Sequence, residues 1–517
     1  MASLTDGMVA PQESSKGILY LSQDLFPSIT SQLSQSDKSR LALACRDLYG
    51  CVNPLLYDDD RVRGDNHALW WACHKNKMGT LVKVILRNKA VVNYHFREMH
   101  SLPGKDLNGS GKHTTPLVVA LRAGHNRIVA ALVSSGADVN LPDNNPALHH
   151  TRCWYPINWV VDNAKVGQQP EKAIEYLHSR GADMNKFPLD SCTNTIHKIE
   201  DKKGEYEGDQ LLKYAGDSAP IFRALSLAPP ETTEAKQRIC TAFDFNKDLQ
   251  KLLDLRLRQV AALLKAGADP NIRDPATGHT PLFHILITLA RYQPSFYFNI
   301  RLADRGEKDA QLCEIVMPYV LSFMQELVNW GANVNVSCKG RVTSTSDLEE
   351  LTPLHIACGL HEHNEPLVDF LLEFGADINA CAENGRTPLY RCRYAFFKDL
   401  DVLKRLMQKG TERNQNLNHQ DNLGQTILHL LCSDFVCPLH RLESTIRLLV
   451  SRGADASIRD HSGRTAAELA THMIATDYDR VIQALNPIKG LEARRKKNTN
   501  IKKGGRRKRF SRSTNGH

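Results

Sequence analysis

The chain has 517 residues, of which 42% are hydrophobic, and a formal net charge of +9. It contains no run of about 18 apolar residues and no basic-then-apolar leader, so we expect neither a membrane span nor secretion. Its 13 cysteines are an odd number at scattered spacings, which indicates reduced intracellular thiols rather than a disulfide framework.

The first predicted elements are helices that precede the rest of the pattern. Residues 1–17 are expected to be a disordered leader, and residues 18–60 a small helical module. Leu25, Ile29 and Leu33 recur at helical spacing, so they predict the first helix of the module.

A second helix of this module follows a capping residue. Ser36 or Asp37 can accept a hydrogen bond from an amide of the first turn, and Leu41, Cys45 and Leu48 then lie on one face. Pro54 interrupts the helical pattern. The segment therefore predicts a compact set of short helices.

The same segment resembles an F-box, the helical module that docks onto the Skp-type linker of a cullin ubiquitin ligase. The match consists of Leu-x-x-Asp-Leu over 21–25, Cys45-Arg46 in a Leu-rich helix, and Val-x-Pro-Leu-Leu-Tyr over 52–57, although Ser22 stands where the family usually has Pro. The resemblance implies an interface or module core formed by Leu25, Phe26, Ile29 and Leu41. The alternative is a helical pair that only caps the following array and covers its apolar end.

A five-residue phrase, Gly-Ala-Asp-x-Asn, recurs along the following part of the chain. Its copies and variants begin at Gly136, Gly181, Gly267, Gly331, Gly375 and Gly453, with a decayed copy over Gly410–Asn414. Val368, Leu371 and Leu372 precede one of these glycines at helical spacing. The phrase predicts a helix that ends in a left-handed glycine cap, followed by a polar turn.

A second recurring phrase marks helix starts. It reads Thr-Pro-Leu-His-Ile-Ala-Cys in its fullest form, and its copies begin at Thr115, Thr280, Thr352, Thr387, Thr426 and Thr465. Thr accepts a hydrogen bond from an amide of the first turn, and Pro fits that turn because its missing N–H costs nothing there. Each unit is therefore predicted to be helix, turn, helix, glycine cap and polar loop.

In this order the two phrases resemble the ankyrin repeat. The resemblance implies an all-α fold, an ankyrin-repeat solenoid of helix-turn-helix units joined by β-turn loops, with the small N-terminal helical module and a disordered basic tail. We expect about nine irregular units over 66–487, starting near His67, Thr115, Tyr155, Ala219, Thr280, Thr352, Thr387, Thr426 and Thr465.

The units are longer than the roughly 33 residues of an ankyrin repeat. The extra residues predict insertions that leave the stack as loops at about 95–113, 186–218, 228–250, 290–315 and 337–350. These loops are either recognition elements or spacers with no task.

Two fragments imitate catalytic or metal motifs without completing them. Gly109–Thr114 lacks the first glycine of a phosphate loop and has His113 where that motif needs Ser or Thr. The other fragment has four potential zinc ligands, His429, Cys432, Cys437 and His440. The spacing between its two cysteines is longer than in a zinc finger. We therefore expect no enzyme activity, no metal and no cofactor.

Three histidines are assigned to one framework position of the repeat, where a His side chain bonds the turn of a neighbouring unit: His284, His355 and His429. A protein target is expected at the turn tips and at first-helix positions that face the concave side. Arginines on or next to first helices are the candidate contacts, namely Arg122, Arg223, Arg391 and Arg393. The alternative is that these side chains only solvate that face.

The tail over 491–517 accounts for the net positive charge of the chain. It has eleven Lys or Arg against Glu492, a charge of +10, which leaves −1 for all other residues. Its two basic clusters resemble a nuclear import signal read by an import receptor, and they consist of Arg494, Arg495, Lys496, Lys497, Arg506, Arg507, Lys508 and Arg509. Weak nucleic-acid contact or simple solubilisation are the alternatives.

Two functions remain open on these grounds. The first is a substrate adaptor, in which the N-terminal module docks on a cullin ligase and the array holds a target. The second is a nuclear or nucleo-cytoplasmic scaffold or transcriptional co-regulator, in which the N-terminal helices only cap the array.

Overall fold

The computed structural model describes residues 32–33, 37, 66–87, 89–97, 113–143, 154–163, 169–187, 219–225, 245–275, 277–292, 306–340, 349–360, 365–392, 401–412, 414–433, 439–470 and 475–486. The chain divides into two compact units, Met1–Lys203 and Gly204–His517. The leader, most of the predicted helical module and the basic tail lie outside the described residues.

The described part of the first unit consists of three helix pairs. They are α1 (His67–His74) with α2 (Met78–Arg87), α3 (Pro116–Arg122) with α4 (Asn126–Ser134), and α5 (Pro156–Asn163) with α6 (Pro170–Ser179). The first helices α1, α3 and α5 pack side by side, and each contacts the second helix of its own pair. A 3-10 helix (Lys89–Asn93) follows α2.

The second unit contains six further pairs in its described part. They are α7 (Pro220–Ala224) with α8 (Phe245–Lys265), α9 (Pro281–Tyr292) with α10 (Gly306–Asn329), α11 (Pro353–Gly359) with α12 (Glu365–Glu373), α13 (Pro388–Arg391) with α14 (Asp401–Glu412), α15 (Ile427–Ser433) with α16 (Leu439–Ser451), and α17 (Ala466–Leu469) with α18 (Ala475–Leu485). Successive first helices again pack on one another, as α9, α11, α13, α15 and α17 do.

The Thr-Pro phrases lie at the helix starts that they predict. Thr115 is the N-cap of α3, and its hydroxyl accepts a hydrogen bond from the amide of Val118 at 3.3 Å. In α17 the Thr465 hydroxyl accepts from the amide of Glu468, whose carboxylate accepts from the Thr465 amide in return. These reciprocal bonds satisfy amides that have no partner inside the helix.

Where the other phrase keeps its glycine, that glycine ends a second helix, as predicted. Gly375 has φ +88°, its amide donates to Leu372, and the amide of Ala376 donates to Leu371. Amide bonds to the carbonyls three and five residues back define a Schellman cap, and the positive φ favours glycine.

The predicted position of the decayed Gly-Ala-Asp-x-Asn copy, Gly410–Asn414, is wrong. Gly410 lies within α14, and the residue with positive φ is Asn414, at +55°. Asn tolerates the left-handed region better than other residues with a Cβ, so Asn414 replaces the glycine. The copy of the phrase therefore runs over 414–418.

Asparagine side chains tie each polar loop to the next one. In the first unit, Asn140 Nδ2 donates to the carbonyl of Gly181 at 2.8 Å, and its Oδ1 accepts from the amide of Asp183 at 2.9 Å. Within each loop the Asp carboxylate accepts from the amide two residues later, as Asp138 does from Asn140. We call this series of bonds the asparagine ladder.

The asparagine ladder recurs in both units. Asn271, Asn335, Asn379 and Asn418 each donate to the carbonyl at the left-handed residue of the next loop and accept from an amide two residues beyond it. Asn93 makes the same pair of bonds to Gly136 and Asp138. One side-chain amide thus satisfies a donor and an acceptor of the neighbouring loop and fixes its position.

Histidine side chains form a second set of hydrogen bonds between neighbouring repeats. The Nδ1 atom of His355 faces the amide and hydroxyl of Thr352 at 3.2 and 2.8 Å, and its Nε2 lies 3.0 Å from the carbonyl of Arg386 in the next unit. His429 repeats the arrangement with Thr426 and the carbonyl of Arg464. The predicted framework role of these two residues is confirmed.

The assignment of His284 to the same position is wrong. His284 follows Thr280 by four residues instead of three, and Phe283 occupies the framework position with a fully buried ring. The His284 and Phe222 rings instead pack at nearly a right angle, with centroids 5.3 Å apart.

Two predicted insertions are partly helical, which corrects the expectation that they leave the stack as loops. Helix α8 begins at Phe245 and α10 at Gly306, so the ends of the insertions 228–250 and 290–315 lengthen second helices. Leu249, inside the insertion, is buried like Leu253 one turn later in α8, so the end of the insertion continues the packed face of the helix.

Two other insertions are closed by short antiparallel ladders. Strand β1 (Phe96–Arg97) pairs with β2 (His113–Thr114), and β3 (Cys338–Gly340) pairs with β4 (Glu349–Leu351). Each insertion therefore leaves and returns to the stack at paired residues.

The asparagine ladder predicts a measurable loss on truncation. Asn140→Ala removes two exposed bonds to the loop at Gly181, and each contributes about 0.5–1.5 kcal/mol net of exchange with water, so the free energy of unfolding should fall by about 1–3 kcal/mol. Urea denaturation followed by circular dichroism measures this loss. Asn126→Ala, at an exposed position in the first turn of α4, is the matched control and should change stability little; equal effects of the two substitutions would contradict the ladder's role.

The buried His355 predicts a pH dependence of stability. Burial, together with the Arg391 charge, lowers its pKa from 6.5 to about 4 despite the opposing Arg386 bond and Asp377 charge, so this contribution is complete above pH 6.5 and is lost as the pH falls towards 4. The loss should reach about 3 kcal/mol. His355→Gln, which does not titrate, should lack this part of the acid slope in urea titrations at several pH values, whereas the exposed control His461→Gln should keep it.

Candidate functional site

Three adjacent loops of the second unit stack tip to tip, and we call them the loop-tip ridge: residues 381–386, 420–425 and 459–464. The amide of Asn422 donates to the carbonyl of Asn384 at 3.1 Å, and the amide of His461 donates to the carbonyl of Leu423 at 3.0 Å. A Cβ on Gly424 would meet the His461 amide nitrogen at 2.7 Å, so this close approach needs glycine. The backbone of the ridge is therefore bonded from one loop to the next.

Buried carboxylates hold the base of the ridge. Asp421 accepts from the amides of Leu423 and Gln425, both at 2.9 Å, and its second oxygen accepts from Arg386 Nε at 3.0 Å. Asp460 plays the same part in its own loop, where it accepts from the amide and the guanidinium of Arg464. Burial raises the pKa of the Asp460 carboxyl, but these hydrogen bonds lower it by more, so its pKa is below the usual value.

The ridge presents an apolar side chain among polar ones. Leu423 is 59% exposed at the tip of the middle loop. Glu383 and His461, on the two flanking loops, are also exposed. An apolar centre with polar neighbours on a fixed backbone is the composition of a protein-binding surface.

A second exposed surface lies on the first helices of the first unit. Trp71 of α1 is 44% exposed, and Lys77 Nζ lies 5.8 Å from its ring centroid. Arg122, at the end of α3, places its guanidinium carbon 4.8 Å from the ring centroid of Trp159 on α5. We call Trp71, Lys77, Arg122 and Trp159 the cation–aromatic face.

The arginines predicted as array contacts have different environments. Arg122 is exposed on the cation–aromatic face. Arg223 and Arg391 are only 7% and 6% exposed, so the expectation of exposed side chains is wrong for both; Arg391 pairs with Glu349, and the carbonyl of Arg223 accepts from Arg256. Arg393 lies outside the described residues, and partner contact by any of the four stays a prediction.

The other predicted site residues also lie outside the part of the chain that the structure describes. These are Leu25, Phe26, Ile29 and Leu41 of the F-box-like segment, and Arg494, Arg495, Lys496, Lys497, Arg506, Arg507, Lys508 and Arg509 of the tail.

The zinc-like set has groups that are already engaged. Both ring nitrogens of His429 have partners within the repeat framework, and burial raises the pKa of the Cys432 thiol to about 12, which disfavours the thiolate that zinc needs. Across the described ranges, no group of three or more His, Cys, Asp or Glu could hold a metal ion. No helix among these residues is long and apolar enough to cross a membrane.

Sequence reasoning missed three surface residues, Trp71, Trp159 and Leu423. A signal was present for the tryptophans, because both occupy the same position of their first helices, two residues after Leu69 and Ile157. Aligning the units would have placed two large aromatic side chains at one repeated surface position. The exposure of Leu423 depends on how the loops stack, and the sequence carries no equivalent signal for it.

Comparison with known proteins adds a family and several relatives. Residues 41–143 and 319–416 match the family model for ankyrin repeats in three copies. The putative ankyrin repeat protein L92 of Acanthamoeba polyphaga mimivirus is 25% identical over 200 residues, which are 37% of this chain and 45% of that protein. The human SH3 and multiple ankyrin repeat domains protein 2 is 23% identical over 277 residues, which are 47% of this chain and 12% of that protein.

A third relative is similar over a shorter stretch. Ankyrin repeat and SOCS box protein 6 of Pongo abelii is 32% identical over 148 residues, which are 27% of this chain and 33% of that protein. The chain thus spans less than half the length of each of these three relatives. The predicted all-α ankyrin fold is confirmed, and residues 41–143 and 319–416 are shown to be ankyrin repeats.

Proposed function

We propose that this chain is a protein-interaction scaffold that acts as a substrate adaptor of a cullin-type ubiquitin ligase. The observation that supports the scaffold is the bonded framework of loops and first helices, which presents the loop-tip ridge and the cation–aromatic face on a fixed backbone. A surface with fixed geometry loses little conformational entropy on binding, so more of its contact energy contributes to affinity.

The adaptor role rests on the F-box-like segment over 18–60. A relative whose name joins ankyrin repeats to a SOCS box supports the general plan of an array joined to a second module. In this mechanism the protein performs no chemistry: it raises the effective concentration of target lysines near a ubiquitin-carrying enzyme.

Binding to a Skp-type linker tests the adaptor role. Purified linker should be captured by the full chain but not by a chain that starts at Arg61. Leu25→Asp should weaken capture by at least about 10-fold, because a charge replaces an apolar contact at the interface. Leu86→Asp is the matched control at a position of α2 that is 75% exposed, and it should leave capture unchanged.

Two results would contradict the adaptor role. One is no capture by the full chain, and the other is equal capture by the chain that starts at Arg61. Thermal unfolding of each variant distinguishes a lost interface from a lost fold.

The second candidate function is a nuclear scaffold or transcriptional co-regulator. One specific observation favours a capping role for the N-terminal helices: the match to ankyrin repeats begins at residue 41, inside the predicted module. The tail over 491–517, with a charge of +10, would then supply nuclear import through an acidic groove of the receptor.

Localisation of tagged chains tests the tail. Deleting 491–517 should move a fluorescent fusion from the nucleus to the cytoplasm, because the two basic clusters are lost. Deleting 1–17, which contains Lys16 as its one basic residue, is the control and should leave the distribution unchanged. A truncated chain that still accumulates in the nucleus would refute the import signal.

A further inference from the structure

Two aromatic side chains occupy the same position in neighbouring repeats of the second unit. Trp330 follows α10 and Phe374 follows α12, and each lies directly before the glycine that ends its helix. Trp330 is 48% and Phe374 is 37% exposed, and α10 packs against α12. The repeat framework does not require aromatic rings at this position, because other repeats have different residues there: Ser135, Arg180, Ala266 and Arg452. The two rings therefore keep apolar area in contact with water that an occupant would cover.

A third ring enlarges this surface, and hydrogen bonds hold its two repeats in register. Phe370 lies one turn before Phe374, with the ring centroids 4.6 Å apart. Asn335, in the loop after α10, donates from Nδ2 to the carbonyl of Gly375 at 3.1 Å. The same side chain accepts a bond from the amide of Asp377 at 2.8 Å. The repeats that carry the aromatic rings are thus fixed to each other without a partner.

Helices α10 and α12, which carry these rings at their ends, are acidic. Their sequences contain four and three acidic residues, respectively, against one basic residue, Lys308. Glu326 lies one turn before Trp330, and Glu373 is exposed next to Phe374. Within the described ranges, neither of these two carboxylates takes part in an ion pair. We call the following residues the aromatic–acidic face: Glu326, Trp330, Phe370, Glu373 and Phe374.

The flanking helices do not reverse the charge of this face. Arg405 of α14 already pairs with Asp369 of α12, and the exposed Lys409 of α14 is followed by the exposed Glu412. The other exposed cations of α14 and of the last three turns of α8 each have an interaction partner, and they are Lys404, Arg258 and Lys265. The unpaired charge of the face is therefore negative, and a basic occupant complements it.

We propose that the basic tail over 491–517 binds the aromatic–acidic face of its own chain. The tail carries a charge of +10, whereas all other residues sum to −1, so its charge complements that of the face. Arginine and lysine side chains are attracted to the faces of aromatic rings, most strongly to tryptophan, and they pair with carboxylates beside those rings. This inference goes beyond both candidate functions, because it concerns a contact within the chain.

The tail is long enough to reach this face. The described part of the chain ends at Asn486 after α18, three repeats beyond α12. Neighbouring helices pack about 8–10 Å apart, so the separation along the stack is roughly 30 Å. Residues 487–505 precede the second basic cluster and span about 60 Å when extended. Tethering also gives the tail an effective concentration that a separate basic partner lacks.

Binding of the tail to this face controls what else the tail contacts. An Arg or Lys side chain that lies on Trp330 or pairs with Glu373 is not available to an import receptor or to nucleic acid. A target protein that covers the rings would release the basic clusters. Occupancy of the face and exposure of the tail are therefore coupled.

Photo-crosslinking in the full chain tests this contact. Phe374→p-benzoylphenylalanine places a photoreactive aromatic group on the face, and mass spectrometry after irradiation should find it joined to residues of 491–517. Leu423→p-benzoylphenylalanine, at a residue of the loop-tip ridge that is also exposed, is the matched control and should not crosslink to the tail. A mixture of isotope-labelled and unlabelled chains shows whether the tail belongs to the same copy.

Trypsin digestion of the full chain measures how firmly the tail is held, because a bound segment is cleaved only when it dissociates. Trp330→Ala combined with Phe374→Ala should raise the cleavage rate within 494–509 by at least about 5-fold, because the contacts between cations and rings are lost. Glu326→Gln combined with Glu373→Gln should also raise this rate. Added salt should accelerate cleavage of the wild type more than that of the charge variant, since it screens the ion pairs.

Three controls separate release of the tail from general effects. Leu423→Ala should leave the cleavage rate unchanged. Each rate is divided by that of a synthetic 491–517 peptide under the same conditions, which removes the effect of salt on the protease. Circular dichroism of each variant shows whether the helices remain.

Three outcomes would overturn the inference: no crosslink between position 374 and the tail while the photoreactive group reacts elsewhere, crosslinks to the tail only between labelled and unlabelled chains, or equal cleavage rates in the wild type and both double variants. The second outcome would assign the face to the tail of a second copy. None of these measurements uses the Skp-type linker or nuclear localisation, so the inference holds or fails independently of both candidate functions.

Discussion

The stacking of the repeats depends on the pair of hydrogen bonds that each ladder asparagine makes to the next loop. Each ladder asparagine, such as Asn335, bonds the carbonyl of one residue and the amide of another in the next loop, so it fixes both the distance and the register of neighbouring units. First helices, which start just after these loops, inherit the same register. Surfaces formed by several units, including the loop-tip ridge, therefore keep their shape without help from a partner. The wide variation in unit length is compatible with this order, because the added residues enter elsewhere in the repeat.

Much of the fold could be predicted because its signals are local. Thr115 and Thr465 are separated from the amides they cap by three residues, and a glycine such as Gly375 ends its helix through its own φ and bonds to the preceding turn. Such features need no knowledge of distant contacts. The Asp of the loop phrase also bonds within its own turn, as its spacing from the Asn suggests.

Features that depend on a neighbouring unit could not be predicted in this way. The shift of the decayed copy to Asn414 is visible only when the carbonyl that Asn379 contacts is known. Arg391 is buried because Glu349 of a distant strand pairs with it, and Arg122 is exposed although the two arginines end equivalent helices in sequence. The partner surfaces are likewise combinations of residues from several units, so one unit's sequence does not reveal them. Burial of a charged side chain follows from its counter-ion, which the repeat phrase does not encode.

Because the short ladders β1–β2 and β3–β4 fix the two ends of an insertion, the stability of the stack depends little on how long that insertion is. Gly340 is paired with Glu349, so the chain between them starts and ends at adjacent positions whatever its length. The entropy of closing such a loop grows only with the logarithm of its length, and doubling the length costs roughly 0.6 kcal/mol. Residues between the paired ends can therefore be gained, lost or exchanged during evolution at small energetic cost. The same scaffold could in this way acquire new sequence at two fixed sites while its repeats remain unchanged.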